Sequence, residues 1–483
     1  MNSSSSRTPI RFGTDGWRAV IAREFTFENL ERVAQAYADY LTNHAPDATA
    51  TLETKQQLVV IGFDRRFLSD KFAECAADVL AGNNFRIALF DEPVPTPLVS
   101  WAVKEQEASG GVVITASHNP PEFNGFKIKA PWGGSAAPET TSIVETLVDA
   151  TAPRKIDHSR IANEDELLSS SIESYRRQLA SYIDIERLRD DRHNVIVDPM
   201  HGSGGRWVES FLTGGRLNIE TIRSERDPLF GGVNPEPIDR NLKALKDRVR
   251  DARAIIGLAT DGDADRLGAV NELGETMTMH EVVPLLLLHL ARNRGMSGGV
   301  VRTFSQSVLT KRIAAALGLK LYETPIGFKY IADLMRNENI LIGAEESGGI
   351  GVSGHIPERD GVLNSLLLLE AVVTAGKAPS EMVKEMHKEF GEFYFGRKDL
   401  HIEVALGQEL VLRLADVPPD KFGGFAVCSF ETIDGTKLLF EDESWLLFRQ
   451  SGTEPALRVY CEATSVAKMN ALLDEGEKIA RNS

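Results

Sequence analysis

The chain reads as three successive α/β units followed by an α+β domain. Three observations predict this. Apolar runs of strand length alternate with amphipathic helical stretches from residue 27 to about residue 375, the pattern of sheets flanked by helices. The residues able to carry chemistry fall just past the ends of those runs, where α/β sheets place their sites. From about Glu389 the pattern changes to apolar strands around an Asp434-Gly435 turn signal, closed by a terminal helix, as in an antiparallel sheet.

The elements follow in order. Residues 27 to 41 are an amphipathic helix and Leu58 to Gly62 a buried strand. Lys71 to Ala81 is helical and Arg86 to Phe90 a strand. Gly110 to Thr115 is a third strand, running straight into the Ser117 loop. The alternation predicts a largely parallel sheet. A polar stretch from Asp149 to Asp165 marks a boundary, so the first domain is placed at 1–152. Asn194 to Asp198 is a strand, followed by a Gly-rich loop from Gly202 to Gly205 and a helix. Ala254 to Ala259 is another strand, ending on Asp261; the second domain is 153–275. The third, 276–388, has a helix from Val282 to Arg292, a strand from Gly299 to Thr303, a helix from Val308 to Leu317, a loop from Thr324 to Lys329 and a last helix from Gly361 to Ala375. The fourth, 389–483, has strands Ser444 to Phe448 and Leu457 to Cys461 and a helix from Val466 to Arg481.

Composition narrows the function. Apolar content of 42% and charged content of 26% over 483 residues are those of ordinary globular proteins. A formal charge of −16 disfavours nucleic acid and anionic membrane as partners, since both need a basic footprint. An anionic small molecule stays open if its pocket is locally basic. The three scattered cysteines form no disulfide framework, which fits a reducing cytoplasm. The N-terminal run Met1-Asn-Ser-Ser-Ser-Ser is not a signal peptide. The longest apolar stretch, Val282 to Leu290, is too short to span a bilayer.

Five segments carry chemistry. Asp261, Asp263 and Asp265 lie at i, i+2 and i+4, a spacing that can converge three carboxylates on one hard cation. Glu272, at the twelfth position, gives a loose likeness to an EF-hand loop. Arg266 stands where that loop needs glycine, and the flanks read as strands; a solvated acidic turn is the plain alternative. Ser117 offers a hydroxyl at a strand end, although such a serine is more often a cap or turn residue. It lacks the Gly-x-Ser-x-Gly frame of a serine hydrolase. His118, Asn119 and Pro120 shape its loop. Lys127, ten residues on, can return to the same cleft as an acid or base, or can simply be solvated. Gly343 to Gly349 sets Glu345, Glu346 and Ser347 in a glycine frame suited to sugar hydroxyls, or to a polar turn. Arg449 to Arg458 holds two guanidiniums and two hydroxyls, a donor set for a phosphate or a charged hairpin. Gly13 to Arg18 supplies an arginine in a tight loop. A serine beside a hard-cation site points to phosphoryl transfer.

Thr115-Ala-Ser-His-Asn-Pro120 and Asp261-Gly-Asp-Ala-Asp-Arg266, with the other three segments in the same order, resemble the α-D-phosphohexomutases, the phosphoglucomutase/phosphomannomutase superfamily, along nearly the whole chain. The resemblance implies a heart-shaped molecule of three similar mixed α/β-sheet domains and a C-terminal α+β domain. It implies an isomerase that interconverts hexose 1-phosphate and hexose 6-phosphate through a phosphoserine and a hexose 1,6-bisphosphate. Ser117 would carry the phosphate. Asp261, Asp263 and Asp265 would bind Mg²⁺, with a phosphoserine oxygen as a further ligand. Arg266 and His118 would support the phosphoryl group, and Lys127 and Arg18 match the proton-transfer positions. Glu345 and Ser347 match the sugar readers, and Arg449, Ser451, Gly452, Thr453 and Arg458 the distal phosphate loop. Gly327-Phe-Lys329 looks like the Gly-Trp-Lys of the glucose-specific branch, with Lys329 near the substrate. Gly349 stands where the mannose-tolerant branch usually has histidine. Glucose phosphate is therefore the expected substrate, ahead of mannose phosphate and then glucosamine phosphate, in a cytoplasmic monomer or homodimer. A non-catalytic sugar-phosphate-binding paralogue and a metal-dependent phosphatase are the competing classes. The first would have lost the serine or the aspartates. The second would release inorganic phosphate and have little use for a fourth, phosphate-gripping domain.

Overall fold

The computed structural model describes residues 8–13, 16–43, 57–451 and 455–482. Its first sheet contains β1 (Gly16–Val20), β2 (Leu58–Phe63), β3 (Arg86–Leu89), β4 (Gly110–Ile114) and β5 (Phe123–Lys129), ordered β1-β5-β4-β2-β3. Residues 59, 61 and 63 of β2 join one core with the helices Phe27–Asn43 and Ser69–Gly82. The other face meets the helix Thr96–Glu105. It does so closely enough that a Cβ on Gly62 would lie 2.4 Å from Val99 Cγ2, and one on Gly111 2.5 Å from Val103 Cγ2. Burial on both faces is why these strands read as unbroken apolar runs.

The sheet is mixed, not largely parallel. β2 runs parallel to β3 and β4, while β5 is antiparallel to β4 and β1. The reason is the short connection after β4: a parallel return needs a crossover of a dozen or more residues, and only residues 115–122 separate β4 from β5.

The second sheet repeats the arrangement with β6 (Asn194–Asp198), β7 (Asn218–Thr221), β8 (Ile256–Thr260), β9 (Leu267–Asn271) and β10 (Thr276–Met277). β6 is parallel to β7 and β8, and β9 returns antiparallel to β8. The third has β11 (Gly299–Thr303), β12 (Leu321–Thr324), β13 (Ile340–Ala344) and β14 (Ile350–Val352), with β14 antiparallel to β13. In each sheet the last parallel strand turns into an antiparallel neighbour. The turns are residues 115–122, 261–266 and 345–349, the three loops singled out from their chemistry.

The fourth sheet is antiparallel throughout: β15 (Tyr394–His401), β16 (Lys421–Phe422), β17 (Phe425–Glu431), β18 (Thr436–Phe440), β19 (Trp445–Gln450) and β20 (Ala456–Ala463), ordered β15-β20-β19-β18-β17-β16. Buried Glu462 accepts hydrogen bonds from His280 Nδ1 (2.8 Å), Ser307 Oγ (2.6 Å), the Val308 N–H (2.8 Å) and Trp445 Nε1 (3.0 Å). The first three donors tie it to the segments beside the third sheet, and Trp445 is its neighbour on β19.

By packing, the chain divides into two compact units, Met1–Thr276 with Gly354–Glu370, and Met277–Ser353 with Ala371–Ser483. The segment Gly354–Glu370 therefore packs with the first unit although it follows the third sheet in sequence. Among the described residues no single helix is long and apolar enough to cross a membrane.

Candidate active site

The first unit gathers Ser117, His118, Arg18, Lys127, Arg266 and the three aspartates. Ser117 is 1% exposed, and its Oγ donates to Asp261 Oδ2 at 3.1 Å. His118 Nδ1 lies 3.4 Å from the same Oγ. Arg18 sits on β1 rather than in a tight loop, because Gly16–Val20 pairs in register with Phe123–Lys127; its Nη1 donates to Asn119 Oδ1 at 2.8 Å. Lys127 is on β5, buried, and donates from Nζ to Asp263 Oδ2 (2.8 Å) and Asp265 Oδ2 (3.3 Å).

The metal loop converges because it doubles back. Ala264 takes φ +58°, and Asp261 Oδ1 accepts the N–H groups of Asp265 (3.0 Å) and Arg266 (3.1 Å). One ligand oxygen from each of Asp261, Asp263 and Asp265 lies within 4.8 Å of the others, and all three side chains are buried. The flanks are strands β8 and β9, so the EF-hand alternative and the solvated turn both fall. Burial, with the charges of Asp265 and Asp263, pushes the Asp261 carboxyl well up. Burial would push Asp263 up as well, but the Lys127 ammonium outweighs it and holds that carboxyl low. His118 is pushed well down by burial and by the Arg266 and Arg18 charges, so its imidazole is neutral near pH 7.

The donor set suits a divalent cation. Asp263 Oδ1 and Asp265 Oδ1 are buried and accept no hydrogen bond from any described residue, a costly arrangement unless something positive is coordinated there. Three carboxylates with a serine oxygen alongside are hard ligands of the kind Mg²⁺ takes.

Four partners of this site were not legible as such. Thr96 donates its O–H to Asp263 Oδ2 (2.8 Å) and its N–H to the Asp263 carbonyl (2.9 Å). Arg359 Nη2 lies 3.0 Å from Asp265 Oδ2. Asp64 and Arg66 support the serine loop from below. The one signal for the last pair is that Asp64-Arg65-Arg66 also stands just past a strand end, that of β2.

The second unit holds the remaining candidates. Glu345 is buried, and its N–H closes the loop on the Gly349 carbonyl at 2.9 Å; Ser347 is half-buried. The adjacent Glu346 accepts from Ser305 Oγ at 2.6 Å. Lys329 belongs to the first turn of the helix Phe328–Asn337 rather than to a loop, since Gly327 (φ +138°) completes the turn before it. Arg449, near the end of β19, pairs through Nε with Asp434 Oδ1 at 3.0 Å, and Asp434 Oδ2 accepts the Ile326 N–H at 2.9 Å. Asp434 thus ties the arginine to the turn that leads into Lys329. Arg458 stands opposite Arg449 in the β19–β20 register, and the Ser451 N–H donates to the Ala456 carbonyl at 2.9 Å. Gly452 and Thr453 lie outside the described residues.

Comparison with known proteins places this arrangement. Residues 9–155, 173–274 and 279–390 match phosphoglucomutase/phosphomannomutase alpha/beta/alpha domains I, II and III, and residues 400–478 match the C-terminal domain of the same family. A phosphoglucomutase/phosphomannomutase of Thermococcus kodakarensis is 30% identical over 97% of this chain and 98% of its own. A phosphoglucosamine/phosphogalactosamine mutase of Sulfurisphaera tokodaii is 28% identical over 97% and 98%. A crystal structure from Thermus thermophilus, assigned as a phosphomannomutase, superposes with a TM-score of 0.84 at 38% identity, covering 98% of this chain and all of the other. The fold and the relatives define an enzyme of the isomerase class that moves phosphoryl groups. The chain belongs to the phosphoglucomutase/phosphomannomutase family. It is a phosphohexomutase.

Proposed function

We propose that this enzyme interconverts glucose 1-phosphate and glucose 6-phosphate through a phosphoserine at Ser117 and a glucose 1,6-bisphosphate. The observation that carries the reading is Ser117 Oγ, 3.1 Å from one of three converging carboxylates. Asp261, Asp263, Asp265 and a phosphoserine oxygen hold Mg²⁺, which supplies charge neutralisation on the transferring phosphate. Ser117 gives its phosphoryl group to the free sugar hydroxyl and recovers one from the other end of the bisphosphate. Lys127 is the group placed to exchange the hydroxyl proton, the Arg18 guanidinium stays charged and supports the oxygen that loses it, and Arg266 and neutral His118 flank the phosphoryl oxygens. Glu345 and Ser347 read the sugar hydroxyls, and Lys329 meets the substrate. Arg449, Ser451, Gly452, Thr453 and Arg458 grip the phosphate that is not being transferred.

Gly349 and Gly327-Phe328-Lys329 support glucose over mannose. The Thermococcus relative's double name favours dual phosphoglucomutase/phosphomannomutase activity as the second reading. A coupled assay separates them. The value of kcat/KM for glucose 1-phosphate should exceed that for mannose 1-phosphate and glucosamine 1-phosphate by about tenfold or more, since one differential contact is worth about 1–3 kcal/mol. An equal or higher value for mannose 1-phosphate overturns the glucose assignment.

Arg449→Ala should weaken binding of hexose 1-phosphate and hexose 6-phosphate alike, because each presents its phosphate to the same arginine in turn. Charge-assisted hydrogen bonds contribute about 1.5–3 kcal/mol, so KM should rise roughly 10- to 150-fold for both. Inorganic phosphate release should also rise, through incomplete exclusion of water. An effect on one substrate alone would contradict a shared grip.

A further inference from the structure

Ser117 has a φ of +54°. This is a left-handed backbone for a residue with a Cβ, and it costs about 1–3 kcal/mol unless its surroundings impose it. The residues that impose it are all buried. Thr115 donates its O–H to Asp64 Oδ2 at 2.6 Å, and its Oγ1 accepts the Ser117 N–H at 2.8 Å. The hydroxyl has one proton and the Ser117 N–H can only donate, so the direction of this link is determined. Asp64 is anchored in turn by Ser69 Oγ (2.8 Å), the Arg66 N–H (3.0 Å) and Arg66 Nε (3.0 Å). The Arg66 guanidinium then spreads over the serine loop itself. Its Nη2 donates to the carbonyls of Ser117 and Asn119 (both 2.7 Å), and its Nη1 to those of Pro120 (2.8 Å) and Phe123 (3.0 Å). Both Asp64 and Arg66 are 0% exposed. A lysine has no planar fork with which to reach four carbonyls at once. Gly125 completes the fit, because a Cβ there would lie 2.5 Å from the Thr115 carbonyl oxygen.

We infer that Asp64, Thr115 and Arg66 form a clamp that holds Ser117 in its left-handed conformation and so aims Oγ at Asp261. The inference rests on Ser117 as the phosphoryl carrier. These are positioning residues: they reach the reaction only through the backbone of the serine loop. Loosening the clamp should therefore slow phosphoryl transfer while leaving substrate affinity nearly untouched.

The test is a KM-against-kcat split with a conservative rescue. Thr115→Val keeps the shape and removes the hydroxyl, whereas Thr115→Ser keeps the hydroxyl. Thr115→Val should lower kcat about 30- to 100-fold with KM within about threefold, since misplacing a reacting atom by about 1 Å can cost 10²-fold. The rate at which glucose 1,6-bisphosphate phosphorylates the protein, followed by intact mass, should fall in parallel. Thr115→Ser should restore both to within about threefold of the parent protein. An unchanged kcat in Thr115→Val overturns the clamp, as does a loss that Thr115→Ser does not restore or one confined to KM. If Thr115→Val does not fold, Arg66→Lys carries the test, and a kcat within about threefold of the parent's overturns the inference. Ser117→Ala, run alongside, keeps the two readings apart. Activity in that variant defeats the phosphoserine reading itself, whereas an inactive Ser117→Ala with a normal Thr115→Val defeats only the clamp.

Discussion

Ser117→Ala is expected to lower turnover of glucose 1-phosphate by at least about three orders of magnitude, the scale seen when a nucleophile is removed from a preorganised site. The fold should survive. The Ser117 hydroxyl donates to one carboxylate, a hydrogen bond worth about 1.5–3 kcal/mol net. Alanine meets the left-handed backbone with the same Cβ that serine carries, so no new strain enters. The melting temperature should therefore stay within a few degrees, and circular dichroism should be unchanged. Intact mass should show no phosphorylation of the variant by glucose 1,6-bisphosphate. Near-parent activity would remove Ser117 from the mechanism, and with it the bisphosphate route.

Removing the divalent cation is expected to have an effect of similar size. Asp261, Asp263 and Asp265 are buried within 4.8 Å of one another. Without a cation their mutual repulsion is offset by Lys127 and Arg359 on the Oδ2 side of Asp263 and Asp265 and by the Arg266 charge. Excess chelator should abolish activity, and Mg²⁺ should restore it better than Ca²⁺. Mg²⁺ holds its oxygens at about 2.0–2.1 Å in a near-octahedral shell, whereas Ca²⁺ takes six to eight ligands at about 2.3–2.6 Å and positions a phosphoryl group less tightly. A second readout does not depend on catalysis. Mg²⁺ binds the folded state, so it should raise the melting temperature of the chelator-treated protein, and Asp263→Asn should blunt that rise. Full activity with the metal absent by elemental analysis would rule out this role for the triad.

The three chemistry-bearing loops were legible because each is local. Asp261, Asp263 and Asp265 lie within five residues, and the apolar runs before Ser117 and Asp261 mark β4 and β8. Strand burial on both faces produces such runs, and a loop at a strand end is where side chains gain access to a ligand. The same reasoning missed that these loops are the turns into antiparallel strands, because β5 and β14 hide their character. β5 reads Phe-Asn-Gly-Phe-Lys-Ile-Lys. Two lysines on one face of a strand suggest a solvated side, yet Lys127 and Lys129 are 2% and 0% exposed.

What makes that burial affordable lies far along the chain. Lys127 meets Asp263 and Asp265, 136 and 138 residues away, and Lys129 meets Glu358 at 2.7 Å across 229 residues. Thr96, Arg359, Asp64 and Arg66 owe their places to contacts of the same long-range kind. The sequence by itself determined the family, the sheet-forming runs and the reactive groups, all set by residue type and short spacing. Only the tertiary structure decided which charges meet which, and in which strained backbone the serine is held. A buried ion pair or a left-handed residue is stable only through partners that folding brings to it.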